Sequence, residues 1–65
     1  MIHPRTMIRA TRGVNWRVMP WDKIAFEYVG ARNPELKRLH DELAATGQTQ
    51  WQGQTLTIER VAGGE

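Results

Sequence analysis

The spacing of apolar positions changes along this 65-residue chain, and the changes mark its elements. Leu36, Leu39, His40 and Leu43 fall at i, i+3, i+4 and i+7, one stripe of a helix, while Glu35, Lys37, Arg38, Asp41 and Glu42 mostly take the remaining surface. Asn33 supplies an N-cap, Pro34 stands at the first helical position, and Glu35 puts an acid near the positive end of the helix dipole. Gly47 ends the run, so the pattern predicts a helix over about 34 to 46.

After Gly47 the period falls from 3.6 to 2, and Gln52-Gly53 separates two short runs rich in Thr, Trp, Leu, Ile and Val. A two-residue loop there sets Trp51 opposite Gln54 and Thr49 opposite Leu56, so that Trp51, Leu56 and Ile58 share one face. Gln50, Thr55, Thr57 and Glu59 then make a half-solvated opposite face.

Val14, Trp16 and Val18 alternate with Asn15 and Arg17, which predicts a strand, and Pro20-Trp21-Asp22-Lys23 reads as a turn. Residues 24 to 29 fit both periods. A helix collects Trp21, Ile24, Ala25 and Tyr28 on one side; a strand sets Ile24, Phe26 and Tyr28 against Ala25, Glu27 and Val29. Phe26 and Val29 lie off the helical stripe, which favours the strand. Met7 to Thr11 adds an edge strand through an Arg12-Gly13 turn, or else belongs to an N-terminal arm.

The order is therefore ββαββ, an α+β fold in which one helix packs on a small antiparallel sheet. Residues 1–13 form a basic N-terminal arm or edge strand, 14–61 a single domain, and 62–65 a flexible tail with nothing to bury. In residues 14–46, a hairpin leading into a polar-capped helix that reads Glu35-Leu36-Lys37-Arg38-Leu39 resembles the same stretch of the small head-to-tail joining proteins of lambdoid phages. The likeness covers half of the chain, and a basic strand replaces that family's N-terminal helix. It implies a part in phage or mobile-element assembly.

Charge sharpens the picture more than composition does. Residues 1–21 hold Arg5, Arg9, Arg12 and Arg17 and no acid, whereas the whole chain carries only +2. Arginine outnumbers lysine seven to two, and a guanidinium stacks and forks onto partners as an ammonium cannot. With no cysteine there is neither a disulfide framework nor a sulfur ligand, which points to a reducing, cytoplasmic setting. No unbroken apolar run exceeds three residues, far short of the roughly 20 that a membrane span needs.

The side chains of catalysis are sparse. His3 and His40 are the only histidines and have no cysteine or suitably spaced acid beside them, so no metal site or cofactor is expected. Asp41 and Glu42 are adjacent, which on a helix points them about 100° apart; they suit Lys37 and Arg38 as i+4 partners better than a shared acid/base task. Serine is absent, and no phosphate-cradling glycine motif occurs. A chain this short also has little interior to spare for a cleft with a rigid surround. These features exclude an enzyme from the expectation.

Three tryptophans, with Phe26 and Tyr28, are a large aromatic load for one short helix to cover. Trp16 and Trp51 are expected to face inward as anchors of the sheet. Trp21, in a turn beside Pro20 and Asp22, is expected to be exposed. Exposed Trp next to Arg is the composition of interface hot spots, so Arg5, Arg9, Arg12, Arg17 and Trp21 are the candidate partner-binding residues. The function expected is a small protein-binding or assembly module, the partner another protein or a second copy. A second reading lays the basic N-terminal strands along a nucleic-acid backbone, with Trp16 or Trp21 stacked on an unpaired base.

Overall fold

Two-residue turns build both hairpins of the computed structural model, which describes residues 2–61. β1 (Met7–Arg12) and β2 (Asn15–Pro20) turn at Gly13-Val14, one residue later than the expected Arg12-Gly13 turn, because this places Gly13, at φ +59°, in the first central position, where such a turn favours glycine. β3 (Gln48–Trp51) and β4 (Gln54–Arg60) turn at Gln52-Gly53, where both residues have positive φ, +50° and +78°. Trp51 lies opposite Gln54 and Thr49 opposite Leu56, the register expected from the alternation.

The four strands form one antiparallel sheet in the order β2-β1-β4-β3, and the fold is a small α+β fold of ββαββ order. β1 therefore lies in the middle of the sheet, which corrects the expectation of an arm or edge strand over Met7–Thr11. Its alternation explains the placement: Ile8 and Ala10 are buried on the helix side, while Met7, Arg9 and Thr11 point to the other face. Residues ahead of β1 are tied down as well. Ile2 and Thr6 are buried, Trp21 N–H donates to Thr6 O at 2.8 Å, Asp22 N–H to Pro4 O at 3.0 Å, and Ile2 N–H to His40 Nε2 at 3.2 Å. The flexible tail expected over 62–65 lies outside the described residues.

The second correction concerns residues 21–29, which are helical. α1 (Trp21–Lys23) widens without a break into a π-helical stretch over Ile24–Val29, closed by Gly30 N–H donating to Ala25 O at 3.0 Å. Ile24 and Ala25 are adjacent and both buried, which a strand with one covered face does not allow, and Val29 is buried one widened turn later. Phe26 and Tyr28 are left in solvent. The first free N–H groups of this helix are the ones received by Thr6 and Pro4. The hairpin that carried the likeness to phage joining proteins is therefore not formed, because its second strand is a helix.

α2 (Glu35–Thr46) begins as expected. Asn33 Oδ1 accepts from Glu35 N–H at 2.9 Å, and Pro34 has helical φ and ψ of −62° and −20°. Gly47, left-handed at φ +80°, ends it and leads straight into β3. Leu39 and Leu43 pack against Ile8, Ile24 and Leu56, with Leu36, Trp51 and Ile58 partly buried around them. All helices lie on one side of the sheet, since Ile8, Ala10, Met19 and Leu56 are its buried positions. The other side, bearing Arg9, Thr11, Trp16, Val18, Thr55 and Thr57, has no covering layer among the described residues.

Candidate functional site

The β1–β2 register decides where the sequence-predicted residues go. Because Arg12 pairs with Asn15, Trp16 stands opposite Thr11 and diagonal to Arg9, on the polar face of β1. Trp16 is 61% exposed, which corrects its expected inward placement; Trp21 is only 7% exposed, which corrects the expected exposed indole. Trp21 opens a helix that runs back beneath the sheet, and its ring lies 6.2 Å from the His40 ring. It belongs to the core.

Arg9 covers Trp16. Its guanidinium carbon sits 4.6 Å from the indole centroid, a cation–π distance, and one terminal nitrogen donates to Glu59 at 2.8 Å. Its Nε is also 2.8 Å from the second Glu59 oxygen, but too bent for a hydrogen bond. The Arg9 charge is thus locally balanced, and what it adds to the surface is a flat face on the indole.

Arg12 and Arg17 point to the helix side of the sheet, near its turn end, where they share a hollow of about 470 Å³ with Trp16, Tyr28 and Gln54. Arg12 donates to Gln52 O at 2.9 Å and so links the two hairpin turns; Arg17 reaches Tyr28 Oη at 3.4 Å. No acid lines this hollow among the described residues. Arg5, by contrast, is exposed in the segment before β1, next to the end of β2 remote from Arg12. Of the five predicted residues, the fold brings Arg12 and Arg17 together, sets Arg9 across the sheet from them, leaves Arg5 apart and buries Trp21.

A larger open cleft, of about 1340 Å³, runs between the residues before β1, the 21–29 helix and α2, lined by Ile2, Trp21, Phe26, Leu36 and His40. Its rim carries both signs, Lys37 with Asp22 and Asp41. Farther round α2, Lys37 pairs with Asp41 at 2.7 Å and Arg38 with Glu42 at 3.2 Å, the i+4 pairs read from the sequence. The Lys37 ammonium, and His40 after it, hold the Asp41 carboxyl below its ordinary range, while the Thr49 hydroxyl, and Arg38 after it, do the same for Glu42. No group of three or more His, Asp or Glu side chains suited to a metal ion occurs among the described residues. No described helix is long and apolar enough to cross a membrane. Comparison with protein-family models, curated proteins and solved structures finds no match.

Sequence reasoning missed Trp16 as a surface residue and Tyr28 as part of the hollow. The signal for Trp16 was present: with a two-residue loop at Gly13-Val14, Trp16 must share a face with Arg9 and Thr11 and not with Ile8 and Ala10. Tyr28 carried no such signal, because its place depends on the helix that residues 24–29 adopt.

Proposed function

We propose that this chain is a non-enzymatic protein-binding module that docks its partner on the exposed margin of β2, with Trp16 and the Arg9 stacked on it on one face of that margin and Arg17 on the other. The observation that carries the reading is the exposed Trp16 indole on an edge strand, already stacked by Arg9. A large flat side chain preset in one geometry gives contact area at a small entropic cost, and Trp with Arg dominates interface hot spots. The arginines suit this reading better than a polyanion track. Arg9 is balanced by Glu59, and Arg12 and Arg17 lie on the opposite face from the exposed Trp16 ring, so a nucleic-acid strand stacked on Trp16 would meet little net charge.

The test is capture from a cell lysate with immobilised protein, with and without nuclease. A protein band that survives nuclease, is retained by Phe26→Ala, and is lost on Trp16→Ala is the expected result; hot-spot truncation costs about 2 kcal/mol or more of affinity. Arg9→Lys should weaken capture too, because the stack is lost although the charge stays. Nuclease-sensitive capture released steeply by salt would establish nucleic acid instead. Unchanged capture by Trp16→Ala would place the site elsewhere on the molecule.

A further inference from the structure

We infer that the free edge of β2 accepts an extended, acidic segment of a protein partner as a fifth strand of the sheet; this rests on the reading that the partner docks at β2. β2 is the first strand in the sheet order and pairs only with β1. The direction of its main-chain groups follows from the register. Trp21 N–H donates to Thr6 O, and in an antiparallel pair the residues that exchange hydrogen bonds alternate with those that do not. Counting back from Thr6 opposite Trp21, the pairs Ile8 with Met19, Ala10 with Arg17 and Arg12 with Asn15 turn their N–H and C=O groups inward. Trp16 and Val18 therefore turn theirs outward, and no partner reaches those groups among the described residues. Pro20, next in the outward series, has no N–H to leave idle and marks the end of the usable edge.

Charge selects the occupant. An added strand sends alternate side chains to the two faces of the sheet. On the helix side they meet Arg17, the charged side chain on that face of β2, beside a hollow lined by no acid among the described residues; on the open side they meet Trp16 and Val18. The complementary segment alternates acidic with apolar residues. A second copy fits poorly: a twofold axis at Arg17 sets Arg17 opposite its own symmetry mate, and like charges opposite one another destabilise a pair, while an axis at Val18 or Trp16 sets an outward-facing residue opposite Pro20, which has no N–H, or opposite Val14 of the turn. Strand addition of this kind draws affinity from the main chain and specificity from the alternation.

The probe is a blocked peptide of alternating glutamate and valine, about seven residues long, titrated into the ¹⁵N-labelled protein. Saturable binding is expected, with shifts centred on β2 and slowed hydrogen exchange at the Trp16 and Val18 amides. N-methylation of peptide amides that face β2 should weaken binding about fivefold to tenfold per lost hydrogen bond. Arg17→Gln, confirmed as folded by its spectrum, should weaken it and reduce its salt dependence. A peptide of the same composition with its glutamates and valines in separate blocks should not bind. Shifts on Trp16 that are indifferent to N-methylation or to residue order would overturn strand addition while leaving the docking surface in place. Equal binding of a lysine-for-glutamate peptide would overturn the acidic partner. Protection of the Trp16 and Val18 amides in the free protein that rises with its concentration would assign the edge to a second copy. Absence of binding, or shifts confined to the cleft around Trp21 and Phe26, would overturn the proposal as a whole.

Discussion

The two edges of the sheet are made alike and end differently. Each edge strand belongs to a hairpin with a two-residue turn, and each carries one tryptophan near that turn. At β3 the edge is managed: Arg38 of α2 donates to Gln50 O at 3.2 Å, Glu42 accepts from the Thr49 hydroxyl, and Trp51 is partly buried against the core. At β2 the edge is bare among the described residues, with Trp16 in solvent. The difference comes from the connections. α2 passes into β3 through Gly47 alone, so the helix lies against that strand, whereas the helix that follows β2 starts at Pro20 and turns back beneath the sheet. An uncovered edge is a liability that folds ordinarily blunt, and the proposed docking surface at β2 rests on that contrast.

The largest expected effect separates the buried tryptophan from the exposed one. Trp21→Ala should cost about 3 to 5 kcal/mol, enough to unfold or nearly unfold so small a domain in a thermal melt. A variant melting close to wild type would mean that Trp21 is not the core anchor described here. Next comes the turn on the managed side. Gly53→Val places a β-branched residue at φ +78°, and a loss of more than about 1 kcal/mol is expected by chemical denaturation. Gln52→Asn, at φ +50°, should instead stabilise by about 0.5 kcal/mol, since Asn tolerates that region better.

Acid should act through α2, beside the β3 edge. Asp41 and Glu42 have lowered pKa values in the fold, so the unfolded chain binds more protons once pH drops into the ordinary carboxylate range of about 4. Their contribution is complete above that range and is lost as pH falls through the depressed values. The melting temperature should decline there, and Glu42→Gln should flatten the decline. A smaller effect is expected of Arg38→Gln, which frees the Gln50 carbonyl: a slight fall in melting temperature and faster amide exchange along β3, read by NMR. Trp16→Ala should change stability least, within about 0.5 kcal/mol. A large loss there would show that β2 depends on its indole, and the contrast between the edges would collapse.

Helix α2 and the β3–β4 hairpin were legible because their signals are local. A cap, a proline, a glycine stop and an apolar stripe all agree over residues 33–47, and a turn of Gln52 and Gly53 sets the register by counting. Residues 24–29 were not legible. Their side chains favour strands, but the adjacent Ile24 and Ala25 are both drawn into the core, and a widened helical turn is what lets Val29 join them. The site was legible in composition and not in position. The basic charge and aromatic load of residues 1–21 were plain, yet which tryptophan is buried followed from a hairpin register that had to be joined to the fate of residues 21–29.

What the amino-acid order determined alone was every element whose stabilising contacts lie within a few residues: the capped helix, the Gln52-Gly53 turn, and the alternation along β3 and β4. What only the tertiary structure decided was the order of the strands and the cover over each. β1 becomes central because Ile8 and Ala10 complete a face shared with Leu56, 46 residues after Ala10, and no local pattern reports a pairing across that span. Trp16 is left outside and Trp21 taken in for the same reason: burial depends on which surface another element arrives to cover.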